Sequence, residues 1–109
     1  MINKKSINKV ILIGHVGNLP DVRYTRDGLI VVSFSLATHE LQSEKEHTEW
    51  HNIVALGSLG SFVEERIKKG QLLCVEGRLK TRKWESKDGF SLSKTEILAS
   101  SVVPLEWKK

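Results

Sequence analysis

Ser58-Leu59-Gly60-Ser61-Phe62-Val63-Glu64-Glu65-Arg66-Ile67-Lys68-Lys69-Gly70 is the stretch on which the fold turns. Leu59, Phe62, Val63 and Ile67 fall at helical spacing and make one apolar stripe. Ser58 is a candidate N-cap, with Ser61 an alternative. Lys68 and Lys69 complement the helix dipole in the last turn, and Gly70 is a natural stop. This predicts a helix over about Ser58 to Lys69. Outside it, the chain reads as strand and turn. Upstream, the segment from Lys9 to Gly17 is apolar on both faces and rich in β-branched residues, as in a buried strand. Gly14 inside it marks a bulge or a close backbone approach. Asn18-Leu19-Pro20-Asp21 is a turn, Val22-Arg23-Tyr24 a short extended piece, and Thr25-Arg26-Asp27-Gly28 a hairpin signal. Ile30, Val32, Phe34 and Leu36 then alternate with Val31, Ser33, Ser35 and Ala37, a half-buried strand. His39 to Thr48 is polar without a period and reads as a mobile hairpin loop. Glu49 to Gly57 is a third strand. Downstream of the helix, Leu72 to Trp84 is a long strand. Glu85-Ser86-Lys87-Asp88-Gly89 is a second Asp-Gly hairpin, and Phe90 to about Val103 is the last strand, ended by Pro104.

Three strands, one helix and two strands is the order of a five-stranded Greek-key barrel of the OB type, all-β with its helix between strands three and four. A parallel βαβ sheet would need more helices. The 109 residues suit one domain. Its core is expected over about residues 7–103, with a short tail over 104–109. Lys and Arg number 17 against 13 Asp and Glu, a net charge of +4. The isoelectric point near 9.3 fits a nucleic-acid partner, though the excess is smaller than in a polybasic arm. A single cysteine, Cys74, excludes an internal disulfide framework and reads as a small buried residue. No apolar run is long enough to span a bilayer, and the N-terminus has neither a signal nor a transit pattern. The expectation is a soluble intracellular domain.

The chemistry lies on the strand from Leu72 to Trp84. Period two places Arg78, Lys80, Arg82 and Trp84 on one face, with Leu73, Val75 and Leu79 on the core face. Cations at regular spacing suit phosphates, and an indole beside them suits an unstacked base. Such cations often only solvate a strand or discourage edge pairing. Trp50 adds weight, because it begins a strand just after a charged loop. Two tryptophans at strand ends, each beside a long hairpin, can form stacking plates along one groove. Tyr24 and Phe34 are assigned to the core instead.

At this point the blocks resemble a known family. They are Asn8-Lys9-Val10-Ile11-Leu12-Ile13-Gly14, Val22-Arg23-Tyr24, Phe34-Ser35-Leu36-Ala37-Thr38, Thr48-Glu49-Trp50-His51, Lys69-Gly70 and Val75-Glu76-Gly77-Arg78-Leu79-Lys80-Thr81-Arg82-Lys83-Trp84. In this order and spacing, over about residues 7–103, they resemble the bacterial single-stranded DNA-binding proteins. The resemblance implies sequence-independent binding of single-stranded DNA by an OB-fold homotetramer in replication, recombination and repair. It implies a bacterial cytoplasmic protein at the nucleoid, with no membrane partner and no cofactor. Trp50 and Trp84 match two of the family's base-stacking plates. Lys69, Lys80, Arg82 and Lys83 match its phosphate-holding cations. Lys45 lies in a loop that carries another, and His51 matches a histidine of the subunit interface. The chain also departs from the pattern. One family tryptophan aligns near Gln42, a family phenylalanine aligns with Leu56, and two basic positions hold Asn52 and Ser58. Two plates of four are thus absent, so weaker binding or a shorter footprint is expected. Phe90, placed at the opening of the last strand, is the better replacement plate, ahead of Trp107. The family's long tail with an acidic, hydrophobic tip is unmatched at Trp107-Lys108-Lys109, so recruitment of repair enzymes through such a tail is not expected.

Three rival readings are weaker. His47, Glu49 and His51 share a face if the strand starts early, which would suggest a metal. His47, however, is assigned to the loop, and His51 to the interface. An enzyme would need clustered carboxylates, an activated nucleophile or a phosphate-cradling glycine loop. Asp21, Asp27 and Asp88 instead sit in turns, where Asp is ordinary. A primosome-like protein-interaction module acting through partners or mixed oligomers is the main alternative. Its binding would lack the salt dependence of phosphate contacts.

Overall fold

A computed structural model describes residues 5–106. The strands are β1 (Val10–Val16), β2 (Asp21–Tyr24), β3 (Ile30–Gln42), β4 (Lys45–Leu56), β5 (Leu72–Glu85) and β6 (Ser91–Pro104). The helix α1 (Gly57–Arg66) lies between β4 and β5. Hydrogen bonding runs β1-β5-β6-β4-β3, and β3 returns to β1 through His15↔Ala37 and Val16↔Leu36. This closes a five-stranded barrel, the OB-type architecture expected. The extended piece at Val22 is a true strand, β2, lying along β3 beside the stretch that β1 takes. The β4–β6 seam is parallel and narrow, with Ile53↔Ile97 and Val54↔Leu98. The other pairings are antiparallel.

Alternation fills the barrel. Val32, Phe34 and Leu36 of β3, Ile53 and Ala55 of β4, Leu73 and Val75 of β5, and Ile97 and Val102 of β6 are buried together. The helix packs Val63 into this core, with Leu59 and Phe62 partly buried against it, and Ile67, just past the helix end, is buried there too. Burial of such side chains stabilises by roughly 1.5–3 kcal/mol each. Gly14 sits where β1 passes from β5 to β3. A Cβ there would land on the Ala37 carbonyl, so only glycine lets the strands close.

The two Asp-Gly turns are built alike. Thr25 N–H donates to Leu29 O, Gly28 N–H donates to Thr25 O, and Leu29 N–H donates to Thr25 Oγ1. Ser86, Gly89 and Phe90 repeat the pattern around Ser86 Oγ. Gly28 and Gly89 have φ of 87° and 84°, which favours glycine.

Several local expectations need correction. His39 to Thr48 is not a loop. β3 and β4 continue through it, with Glu40↔His47 and Gln42↔Lys45, around a two-residue turn at Ser43-Glu44. That arm projects past the barrel, so both of its faces meet water and no apolar period marks it. Ser58 does not cap the helix. The N-cap position is Leu56, with no side-chain cap bond, and Gly57 at φ 61° turns the chain straight out of β4. The helix ends at Arg66, so Lys68 and Lys69 lie beyond it. β1 is not buried on both faces: Ile11 and Ile13 are each 58% exposed on the outside of the barrel. Leu79 and Tyr24 are exposed rather than core, because β5 has left the barrel by Leu79 and β2 is an edge strand. Cys74 is half-buried, pointing away from the core between Leu73 and Val75. Trp107 lies outside the described residues.

Candidate nucleic-acid interface

The β5 register builds the basic row. Lys80 stands opposite Glu96, Arg82 opposite Lys94, and Trp84 opposite Leu92. Lys80, Arg82, Lys94, Glu96 and Leu98 form one wall of a groove of about 450 Å³. Its other side is Asp21 and Arg23 of β2, Val31 and Ser33 of β3, and Val54 and Leu56 of β4. A smaller hollow of about 150 Å³ shares Asp21, Ser33, Lys94 and Glu96 with the groove and adds Asn18, Ser35 and Asn52. It extends the groove toward Trp50.

Trp50 is 61% exposed on β4, opposite Ala37. Its ring occupies the place where a Cβ on Gly17 would go, beside the Ser35 hydroxyl. Ser35 Oγ is buried and has no hydrogen-bond partner. The indole is therefore seated on backbone at one edge, with most of its surface in water. Trp84 is 41% exposed, and the Arg82 guanidinium carbon lies 5.0 Å from its ring centroid. That is a cation–π contact, which holds a guanidinium beside the plate. Trp84 also lines a shallow pocket of about 530 Å³ with Lys83, Leu92 and Ser93.

The structure gathers Leu56, Lys80 and Arg82 in the groove and sets Trp84 beside its β5–β6 wall. Lys83, between Arg82 and Trp84, alternates onto the opposite face of β5 and is not brought to the groove. Phe90 is exposed in the Ser86–Phe90 turn beyond Trp84, and β6 begins only at Ser91, so Phe90 does not open the last strand. Lys69 is exposed in the turn before β5. There Gly70 N–H donates to Val16 O, next to the Gly17 that supports Trp50. Lys45 is not brought to the groove. It faces Gln42 at the arm tip, five residues from Trp50 and so about 17 Å along the strand. Arg78 lines a separate open hollow of about 390 Å³ with Asn8 and Lys9. His51 is half-buried opposite Leu36, its Nε2 2.9 Å from Thr38 Oγ1. His47 belongs to β4 rather than to a loop and alternates onto the face of Glu49 and His51. Among the described residues, no group of three or more His, Cys, Asp or Glu is placed to hold a metal ion.

Sequence reasoning missed Arg23, Lys94, Glu96, Asn18 and Asp21. The signal for two of them was present. Period two in Lys94-Thr95-Glu96 puts Lys94 and Glu96 on one face, and a hairpin at Asp88-Gly89 sets that face against Arg82 and Lys80. Arg23 and Asp21 needed the β2–β3 pairing, which no local pattern announces.

Residues 7–105 match the Single-strand binding protein family. The chain is 39% identical over 103 residues to the single-stranded DNA-binding protein of Xanthomonas campestris, covering 90% of this chain and 60% of that protein. It is 41% identical over 110 residues to single-stranded DNA-binding protein 1 of Xylella fastidiosa, covering 95% and 81%. The solved structure of Plasmodium falciparum SSB in complex with ssDNA superposes with a TM-score of 0.85 at 35% identity, over 96% of this chain and 100% of that one. The chain thus spans about 60% of the length of some curated relatives and four-fifths of another. With a match over nearly its whole length, and relatives near 40% identity, the chain belongs to the single-strand binding protein family.

Proposed function

We propose that this chain binds and protects single-stranded DNA without regard to sequence, in replication, recombination and repair, acting by binding rather than catalysis. The observation that carries the reading is the continuity of the groove. Two exposed indoles, Trp50 on β4 and Trp84 on β5, flank its arm-side end, and Lys80, Arg82, Lys94 and Arg23 line the groove itself. A single strand offers phosphates and flat bases together, and this surface offers cations with plates beside them. Stacking on an aromatic side chain contributes ~1–3 kcal/mol per base in single-strand-binding OB folds, with little regard to which base it is. Lys69, Leu56 and Phe90 extend the contact surface. Lys83, on the other face of β5, meets a strand only if it wraps over the β5–β6 hairpin, and Lys45 only if it runs out along the arm.

The same reading holds that the chain self-associates, as a homotetramer, in the bacterial cytoplasm. Ile11 and Ile13 support association, since they stand in water on β1 beside Cys74 and Val103. Exposed β-branched residues in a row mark an interaction face. No helix among the described residues is long and apolar enough to cross a membrane.

The test is fluorescence anisotropy of labelled oligo(dT) and of a duplex of the same length, at low and high salt. Tighter binding of the single strand, weakening as salt rises, is expected. No binding at low salt overturns the proposal in favour of the protein-interaction reading.

A further inference from the structure

The groove holds carboxylates as well as cations, and one of them is paired with a guanidinium in the basic row. Glu96 of β6 stands directly opposite Lys80, and Arg82 lies diagonally across. Glu96 Oε1 and Oε2 lie 3.4 Å from Arg82 Nε and Nη2. This is the two-pronged approach that an arginine fork makes to a carboxylate or to a phosphate. Both distances are at the long end of hydrogen bonding, so the pair is held loosely. The two partners differ in burial: the Glu96 side chain is 15% exposed and that of Arg82 58%. The carboxylate is built into the groove wall, and the guanidinium is the part free to leave. Glu96 also lines both the groove and its extension toward Trp50.

A phosphate presents the Arg82 fork with the same pair of oxygens as Glu96 does. We infer that Glu96 is a resident stand-in for a phosphate. It occupies Arg82 in the free chain and is exchanged for a phosphate when a strand enters. This inference rests on the single-strand reading above. The exchange takes place beside the Trp84 ring, where a stacked nucleotide brings its own phosphate. Its consequence is a limit on affinity. Arg82 trades one anion for another, so it contributes less to binding than a cation with no internal partner. Glu96 also repels phosphates passing Lys80. The carboxylate thereby weakens the grip on the strand and favours release.

The test uses the full chain with Glu96→Gln, a near-isosteric change, and oligo(dT) titrated over a series of salt concentrations. The variant is expected to bind roughly two- to fivefold tighter, the range an exposed ion pair of this kind spans. Its slope of log K against log salt is expected to steepen by up to about 0.7, one phosphate's worth for a single strand. In an Arg82→Gln background the gain shrinks, because the main cation that Glu96 occupies is gone. Unchanged or weaker binding by Glu96→Gln overturns the inference, as does an equal gain in both backgrounds. Should Glu96→Gln fail to fold, Arg82→Gln alone decides. It is expected to flatten the salt slope less than Lys80→Gln does, and an equal or larger flattening refutes the exchange. A wild-type chain that does not bind oligo(dT) at low salt refutes the single-strand reading and this inference with it. A wild-type chain that binds, with a Glu96→Gln variant no tighter, refutes this inference alone.

Discussion

Replacing Trp84 by alanine separates stacking from charge. The ring is 41% exposed on the part of β5 that has left the barrel, so its removal opens no cavity in the core. Stability is expected to change by no more than about 1 kcal/mol, the size of the lost contact with Arg82. Affinity is another matter. One lost stack is worth ~1–3 kcal/mol, or roughly 5- to 150-fold in Kd. Arg82 loses its cation–π partner as well, worth about 0.5–1 kcal/mol at an exposed site, but keeps its charge in the groove. No phosphate contact is removed. The affinity should therefore fall while the salt slope stays the same. The assay is anisotropy of labelled oligo(dT) at about 50 and 200 mM salt, a span over which phosphate contacts are strongly weakened. Trp84→Phe keeps a smaller plate and should recover most of the loss. Binding by Trp84→Ala within about twofold of wild type, a change of under half a kcal/mol, would refute the stacking role. A loss accompanied by a flatter slope would refute it too, since Trp84 would then act through the cations around it.

Three further outcomes follow from other parts of the fold. Lys80→Ala should weaken oligo(dT) binding similarly for every base composition and flatten the salt slope by about 0.7, read in the same assay. Gly14→Ala pushes a methyl group into the Ala37 carbonyl at the barrel closure and should cost about 1–3 kcal/mol or more, seen as a lower urea midpoint. Ile13→Asp charges the exposed outer face of β1 and should lower the mass measured by light scattering, leaving the far-ultraviolet circular dichroism unchanged.

The barrel was legible because its parts obey strong local rules. The alternation from Ile30 to Ala37, the helical part of the stripe (Leu59, Phe62 and Val63) and the Asp-Gly turns appear where the sequence places them, while Ile67 reaches the core from just beyond the helix. The arm from His39 to Thr48 was hidden for a physical reason. A hairpin with water on both sides has no apolar face to announce it, and its turn residues, Ser43 and Glu44, have φ of 49° and 65° without a glycine. Leu79, Ile11, Ile13 and Tyr24 were misjudged by the opposite error. Apolar residues on a strand do not say which side of a barrel they take. In the groove, Lys80 and Arg82 were visible as a period-two row on one strand. Glu96, Lys94 and Arg23 reach the same groove from other strands, and their place depends on pairing registers fixed only by closure of the barrel.

Quenching of intrinsic tryptophan fluorescence by oligo(dT), read on the wild type, Trp50→Phe and Trp84→Phe, tests most directly whether one strand stacks on both indoles. A base stacked on an indole quenches it, so the wild type should show strong quenching that weakens with salt. Each variant should lose a distinct share of that quenching while still binding. Quenching that survives undiminished in both variants, or is absent from the wild type while DNA binds, would contradict a strand laid across Trp50 and Trp84.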